Sequence, residues 1–187
     1  MTCFEKGIDY VLVPVAYGSP EHSALHPFGR MPILEVGDTR IIETLAITGY
    51  LDDAFPGPRL TPEDAVERAN MRMWTAICGD YLFRDVVRGI PRNRPATDQE
   101  LTTARTALER AESLVPQSPY LAGGVLTLAD LYLAPQLFNC REKAPELLDG
   151  LSGLEAWAER IDRRESFQLT RYKAPGLPAA QKTGDSV

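Results

Sequence analysis

The sequence predicts a small α/β unit followed by an all-helical unit, and three observations carry that prediction. The first 56 residues hold short β-rich runs and one helical stretch. Pro56-Gly57-Pro58 then punctuates the chain, as Pro/Gly clusters do at boundaries. Beyond it, three helix starts repeat one pattern, a threonine with an acid three residues on, at Thr61/Asp64, Thr97/Glu100 and Thr127/Asp130. The expected domains are 1–56 and 62–187.

Each element has its own warrant. Tyr10 to Val15 (YVLVPV) is rich in β-branched residues and reads as a strand, with Pro14 restricting it to an edge or a strand end. Pro32 to Val36 and Thr39 to Ile42 read as two further strands, joined by a two-residue Gly37-Asp38 turn. A helix is expected from about Glu43 to Ala54. In the second half, Met71, Trp74, Cys78 and Tyr81 share one helical face. Leu101, Ala104, Leu108, Ala111 and Val115 form another apolar stripe, and so do Leu151, Leu154, Ala158 and Ile161. Thr61 is expected to cap the first long helix, with Pro62 at its first position. Leu126 and Leu131 stand at the positions of a hydrophobic staple around Thr127-Asp130, and Pro135 falls inside that helix. The tail after Tyr172 is rich in Pro, Gly and Ala and is expected to end in disorder.

Composition narrows the function classes. Hydrophobic residues make up 44% and charged residues 25%, ordinary globular usage. No apolar run has the length to cross a bilayer, and no signal segment opens the chain. A net charge of −6 lacks the basic footprint of nucleic-acid binding, and Arg88, Arg92 and Arg94 read as a solvated helix end. Three scattered cysteines, Cys3, Cys78 and Cys140, fit a reducing compartment better than a disulfide framework. His22 and His26 read as lone loop histidines without metal-ligand spacing, so no metal is expected.

Two short features carry chemistry. Met31-Pro32 precedes a strand and follows a Gly-containing loop, a setting for a cis peptide bond that would turn the Met31 backbone toward an extended peptide ligand. Taken alone, an ordinary trans proline opening a strand is the commoner occurrence. Glu43-Thr44 opens a helix, whose free N–H groups and positive dipole suit a carboxylate, while Glu43 suits an ammonium. Taken alone, a plain capping pair without a ligand is the better explanation.

Together they are more specific. The run Pro27-Phe28-Gly29, Pro32, strand, Gly37-Asp38, strand, Glu43-Thr44, Ala46-Ile47, Tyr50-Leu51 resembles the glutathione-binding half of glutathione S-transferases, closest to the phi class and its bacterial relatives. Thr127-Leu128-Ala129-Asp130 resembles the capping motif of that family's core helix, and Trp157 with Arg160, Ile161 and Arg164 its closing helix. The resemblance implies a thioredoxin-like N-terminal domain and an all-helical C-terminal domain. It implies that Arg30, Met31, Pro32, Glu43 and Thr44 bind glutathione, with Thr127 and Asp130 as structural caps. It implies a cytoplasmic homodimer acting on glutathione and a small electrophile, with no nucleic-acid or membrane partner. His26 departs from the family's usual Asn, Tyr17-Gly18 from its His-Lys pair, and Glu165 from a usual proline.

The same resemblance places the family's first strand, and a loop bearing a catalytic Ser, Tyr or Cys, ahead of Met1, roughly 15–25 residues at usual element lengths. No residue of the chain is therefore expected to be catalytic. Cys3 aligns near the end of the first helix, away from the end where a reactive thiol is favoured. A late-called start is one account, and a real truncation is the other. Interior strands deprived of a partner would leave backbone groups unpaired. Three functions follow: an enzyme transferring the glutathione thiol, a non-catalytic glutathione-binding or scaffold protein, and a helical interaction module.

Overall fold

In the computed structural model, residues 1–171 are described, and the tail after Tyr172 lies outside them. The chain divides into two compact units near Pro58, with Thr2–Pro58 in one and Arg59 onward in the other.

The first unit opens with α1 (Thr2–Lys6), stopped by Gly7 at φ 67°. Lys6 is buried and donates from Nζ to Asp52 Oδ1 at 3.0 Å and to the Pro58 carbonyl at 3.1 Å. This pair ties α1 to α3 (Thr44–Ala54). Gly57 is obligatory here: a Cβ on it would stand 2.6 Å from the Lys6 carbonyl oxygen. Next comes α2 (Pro20–Leu25), whose cap Ser19 accepts from the His22 N–H. Then β1 (Ile33–Val36) and β2 (Thr39–Ile42) pair antiparallel through the Gly37-Asp38 turn, with Ile33 opposite Ile42 and Val36 opposite Thr39.

The expected strand at Tyr10 to Val15 does not form. Among the described residues the sheet has two strands, β1 and β2. Val11 is 86% exposed and Val13 72%. β-propensity measures fit to a pleated, half-buried surface, and without a ladder partner these residues have none.

The second unit holds the main core. α4 (Ala65–Ile77) begins three residues later than expected. Asp64, not Thr61, is the cap: its Oδ1 accepts from the N–H groups of Val66 and Glu67. Arg68 meanwhile holds the carbonyls of Pro62 and Glu63, which keeps those two residues outside the helix. α4 runs directly into a π-helical segment, Cys78–Val87, where Arg88 N–H reaches the carbonyl five residues back on Phe83. The wider turn moves the apolar face to every fourth residue. Cys78, Leu82 and Val86 are buried, while Tyr81, expected on that face, is 55% exposed.

The remaining α-helices among the described residues are α5 (Asp98–Glu112), α6 (Leu128–Lys143), α7 (Ser152–Asp162) and α8 (Glu165–Thr170). α5 carries the expected capping box of Thr97 and Glu100. α6 continues through Pro135 and is buried along most of its length. Trp74, Leu82, Leu108, Leu133, Leu137, Leu154, Trp157 and Ile161 form the fully buried centre around it. Cys78 and Cys140 are part of that core, and burial pushes their thiols up to about 12 and about 11.

Candidate functional site

The hairpin register decides what meets at the open end of the first unit. The ladder ends at Ile33 opposite Ile42, so Met31-Pro32, just before β1, and Glu43-Thr44, just after β2, both adjoin that end of the hairpin. The Met31-Pro32 peptide bond is cis, and Met31 is half exposed. The two features read separately from the sequence thus share one end of the hairpin.

Glu43 precedes α3 with φ 71° and ψ 125°, a left-handed conformation that side chains other than glycine seldom adopt. Its carboxylate makes no capping hydrogen bond to α3, and the side chain is 62% exposed. The first-turn N–H groups therefore keep their capacity for an outside anion, and Glu43 keeps its charge for an outside cation. Thr48 Oγ1 donates to the Thr44 carbonyl within α3. Arg30 is exposed, one residue before the cis bond.

Two residues that the sequence reading set aside support this end. His22 and His26 are each 1% exposed, and they sit four apart on and just after α2 rather than in an open loop. His22 Nδ1 accepts from the Gly18 N–H at 3.1 Å, so its Nε2 carries the proton and donates to the Arg30 carbonyl at 3.0 Å. His26 Nδ1 accepts from the Phe28 N–H at 3.3 Å, and its Nε2 lies 4.0 Å from Glu43 Oε1. The available signal was the spacing of four behind a Ser-Pro helix start, which puts both rings on one face.

Thr127 and Asp130 do a different task in the helical unit. Asp130 is fully buried and accepts four hydrogen bonds. Oδ2 takes the Thr127 N–H and hydroxyl, and Oδ1 takes the Leu121 N–H and the Trp157 indole. The Thr127 hydroxyl donates to this carboxylate. Cys3 lies within α1, and burial pushes its thiol up, away from a reactive thiolate. Among the described residues no cluster of His, Cys, Asp and Glu could hold a metal ion, and no helix is long and apolar enough to cross a membrane.

Comparison with known proteins identifies the family. Residues 1–59 match the family model for the glutathione S-transferase N-terminal domain, and residues 74–165 match that for the C-terminal domain. Glutathione S-transferase F14 of Arabidopsis thaliana is 32% identical over 89% of this chain and 74% of its own length. The crystal structure of glutathione transferase F7 from Populus trichocarpa superposes with a TM-score of 0.79 at 26% identity, covering 89% of this chain and 88% of that one. A theta class enzyme from Xanthomonas axonopodis pv. citri, solved with glutathione bound, gives a TM-score of 0.76 at 28% identity over 89% of this chain and 86% of that one. With a thioredoxin-like N-terminal domain and a helical C-terminal domain, the chain belongs to the glutathione S-transferase family.

Proposed function

We propose that Arg30, Met31, Pro32, Glu43 and Thr44 bind glutathione, and that the protein serves to transfer its thiol to a small electrophile. The observation that carries this reading is the shared open end of the hairpin, where β1 begins after the cis Met31-Pro32 bond and β2 leads into an uncapped helix start at Glu43-Thr44. The Met31 N–H and C=O pair with the cysteinyl backbone as an added strand would. The N–H groups at the head of α3 take the γ-glutamyl carboxylate, and Glu43 takes its ammonium. Arg30 reaches a ligand carboxylate. The glutathione held by the Xanthomonas relative supports the same ligand class for this chain. No described residue is given the thiol-activating role. A cytoplasmic homodimer is proposed from the family.

Calorimetry with glutathione tests the site. Binding to the wild-type chain, weakened about tenfold or more by Glu43→Ala, is expected, equivalent to roughly 1.4 kcal/mol. Absence of binding at millimolar glutathione, or an unchanged affinity in the variant, would refute it. The second reading is a non-catalytic glutathione-binding or scaffold protein of the same fold. Turnover of 1-chloro-2,4-dinitrobenzene with glutathione separates the two. A rate no higher than the uncatalysed one, alongside intact binding, selects the scaffold.

A further inference from the structure

We infer that His26 is a positioning residue for the Glu43 carboxylate, holding it toward the ammonium of the bound ligand; this rests on the glutathione reading above. His26 is 1% exposed, yet its ring ends at an exposed carboxylate. Its proton placement is dictated by the backbone. Nδ1 accepts the Phe28 N–H, so the neutral ring carries its proton on Nε2, the nitrogen 4.0 Å from Glu43 Oε1. That separation is too long for a hydrogen bond but short enough for an N–H dipole to bias a carboxylate. Backbone bonds and one ring contact fix the residue. The His26 N–H bonds the His22 carbonyl at 2.9 Å, its carbonyl accepts from the Gly29 N–H at 2.8 Å, and Phe28 packs edge-on at 6.3 Å.

Glu43 needs such a neighbour. Its backbone is already committed to φ 71°, and its side chain makes no hydrogen bond to the helix it precedes. A carboxylate left to rotate in water loses rotamer freedom on gripping a ligand, whereas one biased beforehand loses less. His22, four residues earlier, secures the other side of this end through the Arg30 carbonyl. The chain thus braces both halves of the site from one short helix.

The two ring nitrogens can be tested separately. His26→Asn keeps an acceptor near the Nδ1 position and loses the Nε2 donor. His26→Gln keeps a donor near the Nε2 position. Calorimetry with glutathione is expected to show affinity reduced roughly fivefold to tenfold in His26→Asn, in the range of one lost polar interaction, and largely restored in His26→Gln. Cysteinylglycine, which lacks the γ-glutamyl group, should bind wild type and His26→Asn alike. In a Glu43→Gln background His26→Asn should have little further effect, because the pair forms one unit. Additive losses, or an equal loss with cysteinylglycine, would overturn the inference while leaving the glutathione reading intact. A readout free of ligand is the imidazole nitrogen NMR spectrum. It should show His26 protonated on Nε2, with a resonance that moves on Glu43→Gln while that of His22 does not. A proton on Nδ1, or no movement, also overturns it, whether or not glutathione binds.

Discussion

Two helix starts in this chain use an acid in opposite ways. At the head of α6, Asp130 is buried and surrounded by four donors. Burial pushes its carboxyl up, and the hydrogen bonds from Leu121, Trp157 and Thr127 work against that push. At the head of α3, Glu43 faces solvent, caps nothing and stands in a left-handed conformation. The first acid is spent on closing a helix into a core. The second leaves a helix end open. Strain without local compensation marks a place where the structure serves something outside itself.

The sharpest way to break this contrast is Asp130→Ala. It strands the Leu121 and Thr127 N–H groups, the Thr127 hydroxyl and the Trp157 indole together. A loss of about 3–5 kcal/mol is expected in urea unfolding, the range for breaking a buried charge network. A loss under about 1 kcal/mol would mean that the network has no structural weight.

Lys6→Met comes next. It removes the ammonium held 3.0 Å from the buried Asp52 carboxylate, in the unit that carries Glu43. A loss of about 3 kcal/mol is expected, with most of it recovered in the double variant Lys6→Met/Asp52→Leu, since a buried pair and an apolar pair are often near equal. No recovery would show that Lys6 acts through the Pro58 carbonyl rather than through its charge partner.

Glu43→Gly should have the opposite sign. Glycine tolerates positive φ, and the relief of strain exceeds its entropic cost, so a gain of about 0.5–1 kcal/mol is expected. Glutathione affinity should fall in the same protein. A destabilisation would place Glu43 with Asp130 as a structural acid, and the contrast would be gone.

Much of this was legible in the sequence where a local rule and the tertiary context agree. The Gly37-Asp38 hairpin needs only a turn, and its register followed. Thr97/Glu100 and the stripes on α5 and α7 kept their spacing because those helices are regular. Tyr10 to Val15 failed because a strand is a property of a pair, and propensity supplies only one member. Tyr81 failed because periodicity assumes 3.6 residues per turn, and the π-helical segment departs from it. Thr61 failed because Asp64, three residues later, caps the N–H groups of Val66 and Glu67, and the helix starts there instead. His22 and His26 went unassigned because their partners are backbone groups of Gly18, Phe28 and Arg30, which no side-chain motif announces.

Glu100 supplies the smallest expected effect and a third kind of helix-start acid, partly exposed yet fully engaged. The Arg94 guanidinium grips it with two nitrogens, and the Thr97 N–H adds a third bond. These hold its carboxyl down at about 2, against an ordinary 4.5. Between those values the native state binds fewer protons than the unfolded chain, so stability rises with pH across the window. The contribution is whole above pH 4.5 and is lost as pH falls through about 2. Solvent screening keeps it small. Acid unfolding of Glu100→Gln should therefore be shallower than wild type between pH 4.5 and 2, with the two proteins converging at the acid end. Parallel curves would show that the Arg94 contact is not maintained in solution.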